Sequence, residues 1–357
     1  MIFSDVDIIV LFLIVFLSSV FFTFYIKRIL LNAKIGDSPI VTEHRHKKGT
    51  PTMGGIAFLF SLLLIIAIYY ENTIILIISY VMVSAGIMGL IDDLIGLKIK
   101  EVQKAVKNVS NQNIPLGRLT LVPNEEARVA TPKAKEEVNK LLNEGKLELI
   151  YEVPIKYETG ELEKIIAQVV IGIFLALTGT VTTLGGFTLG LLAFPIVIIA
   201  ILGAINAINL IDGMDGLATG IIAIASFASF LLGFLTGNVN IMVSFLIILG
   251  LSLGFLIFNR YPASIFMGDT GSFILGAGYA TAVMICDIPY FGLLALGVPI
   301  VSVIISLIHR AHIIKLPVEP LHHTLNYKGV SERKIVYSYW LITAILCIIG
   351  IVLSLYF

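Results

Sequence analysis

The segment 206–217 (NAINLIDGMDGL) places two carboxylates and two amides in a stretch that is apolar on both sides. Helical spacing predicts that Asn206, Asn209 and Asp212 share one face, and Asp215 follows three residues later. The glycines beside the acids allow the backbone to approach a ligand closely. Acids at the ends of membrane helices are costly and usually functional, so this segment is the first candidate for a site.

Three further acids, Asp92, Asp93 and Asp269, lie beside other apolar runs. Carboxylate oxygens suit Mg²⁺, with Mn²⁺ as an alternative, and no Cys/His spacing indicates zinc. Mg²⁺ takes only one or two protein carboxylates and leaves its other positions to water and phosphate. Five acids therefore exceed the needs of one ion, and some are expected to act as a general base or to orient ligands.

Two glycine-rich segments supply groups that bind phosphate. Segment 46–55 (HKKGTPTMGG) carries lysines and hydroxyls just before a predicted helix, and segment 267–272 (MGDTGS) repeats the design. Helix N-termini and lysines both favour anions, although a lysine-rich junction alone also marks an ordinary cytoplasmic flank. The pair His322 and His323 could hold a metal, a phosphate or a base, or could cap a helix.

The composition predicts a polytopic membrane protein. Of 357 residues, 57% are hydrophobic and 13% charged, and the mean hydropathy is +0.98, far outside the soluble range. We expect an all-α fold of about ten transmembrane helices with a small α+β cytoplasmic insert. Cys286 and Cys347 lie in apolar runs and are expected to be free thiols. Runs long enough to span lie near 8–30, 54–70, 73–91, 164–182, 188–208, 217–236, 238–258, 272–287, 290–309 and 335–356.

The lysines and arginines predict the orientation. With ten spans, all 24 basic residues fall on one side, which is therefore expected to be cytoplasmic, and both termini lie outside. The opposite side carries only Asp5, Asp7, Glu71 and Asp287. All the polar segments above then share the cytoplasmic face. The acidic N-terminus predicts that the first run is kept as an anchor instead of being cleaved.

Residues 98–163 separate two membrane domains, 1–97 and 164–357. This insert holds 11 basic and 11 acidic residues and no spanning run. A helix is expected from Pro132, capped by Thr131, to Gly145, with strands over 118–122 and 146–157. The balanced charge predicts a solvated surface, with a lid or a docking role as the alternative.

Taken together, these segments resemble the polyprenyl-phosphate N-acetylhexosamine-1-phosphate transferases of glycosyltransferase family 4, and most closely their muramyl-type branch. The matching segments are 47–55 (KKGTPTMGG), 92–93 (DD), 206–217, 259–272 (NRYPASIFMGDTGS), 320–323 (PLHH), 328–332 (KGVSE) and Trp340. The resemblance implies Mg²⁺-dependent transfer of a sugar-1-phosphate from a UDP-amino sugar to an undecaprenyl- or dolichyl-type phosphate, with release of UMP. It also implies a multi-pass protein of the cell membrane in contact with membrane lipid, without nucleic acid, in which a homodimer is compatible with the family.

The resemblance also assigns roles by motif. Asp269 is expected to bind the metal together with Asp212, and Asp92 is the candidate base for the lipid phosphate. Asp93 and Asp215 complete the acidic set. The expected substrate-binding or site-shaping residues are Lys47, Thr52, Lys164, Asn209, Asn259, Phe266, His322 and His323, of which Lys164 opens a Lys-x-x-x-Gln motif and is placed beside a phosphate.

Three departures from the muramyl pattern leave the donor open. Gly96 stands where that branch usually has a lysine, Thr324 replaces a third histidine, and residues 98–163 replace a short loop. The alternatives are a peptide-bearing amino-sugar donor and plain UDP-N-acetylglucosamine, used for protein glycosylation or surface polymers. A transporter that uses the acids as an ion path is a more remote alternative, because all the acids of the motifs are expected on one side.

The orientation can be tested by cysteine labelling. A cysteine at Asp5 or Asp287 should react with an impermeant thiol reagent added to intact cells. A cysteine at Glu137, in the insert, should react only after the cells are opened. The reverse pattern would place the acidic segments on the outer face and contradict the orientation.

Overall fold

The computed structural model describes residues 4–36, 49–98, 100–116, 119–129, 132–156 and 160–356. Two compact units are present, one formed by Met1–Asp93 with Gly160–Phe357 and the other by Leu94–Thr159. The helices are α1 (Asp5–Asn32), α2 (Ile56–Ile68), α3 (Thr73–Lys98), α4 (Pro132–Asn143), α5 (Glu161–Leu177), α6 (Ala193–Ile211), α7 (Leu217–Thr236), α8 (Val239–Asn259), α9 (Gly268–Ile285), α10 (Pro289–Ala295), α11 (Gly297–Arg310), α12 (Leu321–Tyr327) and α13 (Glu332–Tyr356). The strands are β1 (Lys100–Asn108), β2 (Ile114–Leu116), β3 (Leu119–Leu121), β4 (Glu126–Val129), β5 (Leu147–Lys156), β6 (Thr183–Leu184) and β7 (Phe187–Thr188).

The first unit is a bundle of apolar helices, which confirms a helical multi-pass membrane protein. In the described chain, six helices are long and apolar enough to cross a membrane: α1, α3, α6, α7, α8 and α13. The bent pair α10 and α11 would make a seventh. The other predicted runs form α2, α5 and α9, so every run is helical, and the ten-span topology stays a prediction. The run over 290–309, expected as one helix, is two helices bent by 70°.

Two helices occupy the centre of the bundle. In α7 and α8, 72% and 78% of the apolar window is buried, against 33% in α1 and α13, which lie at the periphery. Small residues allow the close packing around them. A Cβ atom on Gly89 of α3 would lie 2.3 Å from the backbone oxygen of Asp269, and one on Gly55 would lie 2.2 Å from the nitrogen of Gly271. Helices α2 and α3 therefore press directly on the first turn of α9.

The second unit is the α+β insert. Its three-stranded antiparallel sheet has the order β4-β1-β5, and a small core of Val106, Ile114, Leu121, Val138 and Leu147 joins it to α4 and the hairpin β2-β3. The predicted helix and the described parts of both predicted strands are confirmed, whereas the expected Thr131 cap and the strand positions 118 and 157 lie outside the described residues. The central strand β1 was not predicted, because a β-bulge breaks its alternation of apolar and polar residues. Both cysteines are free, as expected, with Cys347 buried and Cys286 partly so.

Candidate active site

The N-terminus of α9 is the element on which the other site residues converge. No side chain of its own segment caps it, because Met267 at the N-cap position makes no such bond. Instead the carboxylate of Asp93, on α3, accepts hydrogen bonds from the backbone N–H groups of Asp269 (3.3 Å) and Thr270 (3.0 Å) and from the Thr270 hydroxyl (2.7 Å). A carboxylate at a helix N-terminus satisfies free N–H groups and opposes the positive end of the dipole. Asp93 thus holds α9 in place.

Backbone hydrogen bonds join the two glycine-rich segments. The Phe266 N–H donates to the oxygen of Pro51 (2.8 Å), and the N–H groups of Gly54 and Gly55 donate to Phe266 (2.8 Å) and Met267 (2.9 Å). The segment before α2 therefore lies directly beside the turn that opens α9. The sequence predicted that both segments bind phosphate, and the structure places them together.

Two predicted residues belong to the segment before α2. Thr52 is half-buried and directly follows the paired Pro51. Lys47 lies outside the described residues, so its placement stays a prediction.

A lysine and two acids form the polar centre of the site. Lys164, at the start of α5, places its Nζ atom 2.5 Å from Oδ2 of Asp92 and 3.8 Å from Oδ2 of Asp269. Asp92 is 1% exposed, whereas the side chain of Asp269 is 22% exposed and can meet a ligand. Asn209 of α6 donates from Nδ2 to Oδ1 of Asp269 (2.8 Å) and to the Ser272 hydroxyl (3.0 Å). Four helices thus contribute side chains to one cluster.

A buried amide pair sets the spacing of α5 and α6. Nδ2 of Asn206 donates to Oε1 of Gln168 at 2.7 Å, and Gln168 is fully buried. Gln168 lies one helical turn after Lys164, and Asn206 lies three residues before Asn209. The pair therefore fixes the two helices that carry Lys164 and Asn209. The sequence marked both amides but could not pair them, because they are 38 residues apart.

The histidine pair faces the loop that follows α6. Asp212 is half-buried and directly follows the last residue of α6. The helical face predicted for Asn206, Asn209 and Asp212 therefore includes only the two asparagines. A Cβ atom on the next residue, Gly213, would lie 2.6 Å from Nε2 of His322 and 2.7 Å from Nε2 of His323. Both imidazoles, at the start of α12, therefore lie against the backbone beside Asp212. A larger residue at position 213 would therefore have to displace both imidazoles.

Asp215 connects three parts of the chain. Its Oδ2 atom accepts from the N–H of Ala263 (2.8 Å), and its own N–H donates to Oε1 of Glu332 (2.7 Å). Asp215 is 3% exposed and Glu332 8%. The acid therefore lies where it can fix the loops after α6 and α8 to the start of α13. Sequence analysis included Glu332 in the matching segment 328–332 but assigned it no role, because a carboxylate that binds a distant backbone N–H leaves no local pattern.

Asn259 shapes the loop that leads to α9. Its Nδ2 atom donates to the oxygen of Ile265 (3.0 Å), and its Oδ1 atom accepts from the Thr219 hydroxyl (2.9 Å). Asn259 is 2% exposed, so it holds this loop through buried hydrogen bonds. Phe266, which follows Ile265, is half-buried.

The partly buried carboxylates of the site suit a metal ion that binds together with the substrate. Among the described residues, no group of three or more His, Cys, Asp or Glu side chains forms a closed metal site. Asp269 and Asp212 are both only partly buried. Mg²⁺ needs only one or two such carboxylates and completes its octahedron with water and phosphate. Asp269 fits that pattern by its chemistry and partial burial, and its partnership with Asp212 stays a prediction.

The cap formed by Asp93 can be tested with two threonines of α9. Thr270→Val removes a hydroxyl that donates to the buried Asp93 carboxylate and should destabilise the protein by about 1–3 kcal/mol. Thr281→Val is the matched control, since that hydroxyl is equally buried but bonds only to Ala277 of its own helix. Thermal unfolding in detergent measures both. Equal melting temperatures for the two variants would contradict a special role for the cap.

Comparisons with known proteins show the family of the chain. The model of Glycosyl transferase family 4 matches residues 156–287, and Phospho-N-acetylmuramoyl-pentapeptide-transferase signature 1 matches residues 47–59. A relative in Methanothermobacter thermautotrophicus, provisionally named a phospho-N-acetylmuramoyl-pentapeptide-transferase, is 56% identical over 98% of both chains. Proteins with that name from Clostridium botulinum and Protochlamydia amoebophila are each 30% identical, over 87% and 94% of this chain and 84% and 90% of their own. The chain therefore belongs to the phospho-N-acetylmuramoyl-pentapeptide-transferase family, within glycosyl transferase family 4.

Proposed function

We propose that the protein transfers an N-acetyl amino sugar-1-phosphate from a UDP-sugar to a polyprenyl phosphate and releases UMP. The observation that carries this proposal is the cluster of Lys164, Asp92, Asp269 and Asn209 at the N-terminus of α9. A lysine and a partly exposed carboxylate held close together suit a reaction between two phosphates. Membership of the family supports the same reaction.

The reaction forms one P–O bond and breaks another. An oxygen of the lipid phosphate attacks the β-phosphorus of the UDP-sugar, and the bond from that phosphorus to the bridging oxygen breaks. UMP leaves with the electron pair. Such a displacement needs charge neutralisation and alignment more than covalent help. Lys164 provides charge neutralisation, and the tightly bonded turn before α9 provides alignment.

Asp92 and Lys164 act together when the acceptor arrives. The lipid phosphate competes with the Asp92 carboxylate for the ammonium group of Lys164. A carboxylate released from that ion pair can take the proton from an acceptor that arrives as a monoanion, which is the base role expected of Asp92. Phosphate monoesters have a second pKa of about 6, so at neutral pH most acceptor molecules need no such transfer.

The remaining residues bind or position the donor. Mg²⁺, when bound, neutralises charge on the diphosphate, and Asp269 with Asp212 would hold it. Asn209 and Phe266 contact the nucleotide, while Lys47, Thr52, His322 and His323 contact phosphate or sugar. The buried residues Asp93, Asp215 and Asn259 hold the loops that carry these groups.

The proposed arrangement in the membrane follows the sequence. Ten spans place the cluster at the cytoplasmic face, where a soluble nucleotide and a lipid phosphate meet, and both termini lie outside. The basic residues support this orientation. The cell membrane is the proposed location.

A peptide-bearing amino sugar is the proposed donor, because the relatives are named for phospho-N-acetylmuramoyl-pentapeptide. Thr324, which stands in place of the third histidine, is buried and has a hydrogen-bond partner. Thr324 is 3% exposed, and its hydroxyl donates to the oxygen of Val318 in the preceding loop. Plain UDP-N-acetylglucosamine is the alternative donor.

An assay of purified protein in mixed micelles tests the proposal. UMP release from a UDP-amino-sugar-peptide should require both Mg²⁺ and polyprenyl phosphate, and Asp269→Ala should abolish it, because it removes the carboxylate of the cluster that a ligand can reach. Thr281→Val is the control for a buried change elsewhere on α9. No UMP release with either donor from correctly folded protein would contradict the reaction. A far higher kcat/KM with UDP-N-acetylglucosamine would retain the reaction but overturn the proposed donor.

A further inference from the structure

A polar cavity lies beside the first turn of α7, between the end of α8 and the start of α13. Its volume is about 360 Å³. None of Asp92, Lys164, Asn209 or Asp269 lines it. The residues that define its chemistry are Asp215, Arg260, Tyr261, Arg333, Tyr337 and Trp340.

The cavity carries an excess of positive charge. Arg260 is the C-cap residue of α8, and Arg333 is the second residue of α13. Among the described residues, neither arginine forms an ion pair with a carboxylate. Arg333 lies over the ring of Tyr261, 5.4 Å from its centre. The single acid of the lining, Asp215, already accepts from the Ala263 N–H, so two guanidinium groups face one carboxylate. Guanidinium groups match phosphate oxygens in shape and charge.

The rim of the cavity is amphipathic. Tyr261 is 42% exposed and Tyr337 59%, and Tyr337 packs edge-on against Trp340. Further from the loops along the two helices, the exposed side chains are apolar: Ile257 on α8 and Leu341 on α13. Tyrosine and tryptophan favour the level of the lipid headgroups, and arginine at that level attracts anionic lipids. A ligand that fits both the arginines of the cavity and its apolar rim has a phosphate headgroup and an apolar chain.

We propose that this cavity binds the phosphodiester headgroup of an anionic membrane phospholipid, as a lipid separate from the acceptor. The two arginines hold the headgroup phosphate, and an acyl chain passes Ile257 and follows the exposed apolar side chains of α13. Arg333 is adjacent to Glu332, whose carboxylate binds the N–H of Asp215. A bound lipid therefore braces the junction that fixes the loop after α6. This role is independent of the donor sugar.

Native mass spectrometry of the full-length protein in detergent, titrated with dioleoylphosphatidylglycerol, tests the proposal. The wild type should retain one tightly bound lipid, and dioleoylphosphatidylcholine should bind more weakly. The double variant Arg260→Gln/Arg333→Gln should bind phosphatidylglycerol about 30-fold more weakly, since each arginine near a membrane surface contributes about a factor of five. Lys334→Gln is the matched control, because this exposed neighbour loses the same charge but does not line the cavity. It should bind like the wild type.

Three results would overturn the proposal. Equal retention of phosphatidylglycerol by the double variant and by Lys334→Gln would show that the arginines do not form the site. Displacement of the lipid by millimolar inorganic phosphate would show that a free phosphate ion is the ligand. Displacement by one equivalent of polyprenyl phosphate would identify the cavity as part of the acceptor site. An unchanged melting temperature of the double variant in lipid-free detergent shows that its loss of binding is not a loss of fold.

Discussion

The ion pair between Lys164 and Asp92 constrains the site more than any other contact. Removing a carboxylate or an ammonium group from water costs several kcal/mol unless the charge is paired with good geometry. Asp92 is almost completely buried, so its charge depends on a partner that stays within reach. Lys164 is 17% exposed and touches both this buried acid and the more open Asp269. A phosphate that enters beside Asp269 is a strong anion that can replace Asp92 at Lys164. The pair therefore keeps the site charged and ordered before substrate binds.

The ion pair depends in turn on how firmly the surrounding elements are held. Asp93 caps α9 from α3, and backbone hydrogen bonds tie the segment before α2 to the same turn. The amide pair of Gln168 and Asn206 fixes α5 against α6. Glycine at position 89 allows α3 to reach the backbone of Asp269. These contacts are separated by long stretches of sequence, so the geometry of the cluster is a product of the whole bundle. A small displacement of reacting groups lowers the rate of phosphate transfer steeply, which explains the density of hydrogen bonds here.

The sequence predicted the helical membrane fold, the folded insert and the segments that form the cluster, because each leaves a local pattern of hydropathy, charge or turn residues. It did not predict that Asp93 would cap α9 or that Glu332 would bind the N–H of Asp215, since both bonds join residues more than 100 positions apart. The bend between α10 and α11 was missed because the run over 290–309 is continuously apolar. The central strand of the insert was missed because a bulge disturbs its alternation. Local sequence patterns thus predicted which segments form the site, whereas the hydrogen-bond partners of their residues follow only from the packing of the bundle.

A double-mutant cycle on Asp92 and Lys164 tests the central claim most directly. The measured quantity is kcat/KM for UMP release by Asp92→Asn, Lys164→Met and the double variant, with the wild type as reference. If the two residues act as one unit, the double variant should be no more than about threefold slower than the slower single variant. If the losses of the two single variants multiply in the double variant, Asp92 and Lys164 act independently, and the account of the site is wrong.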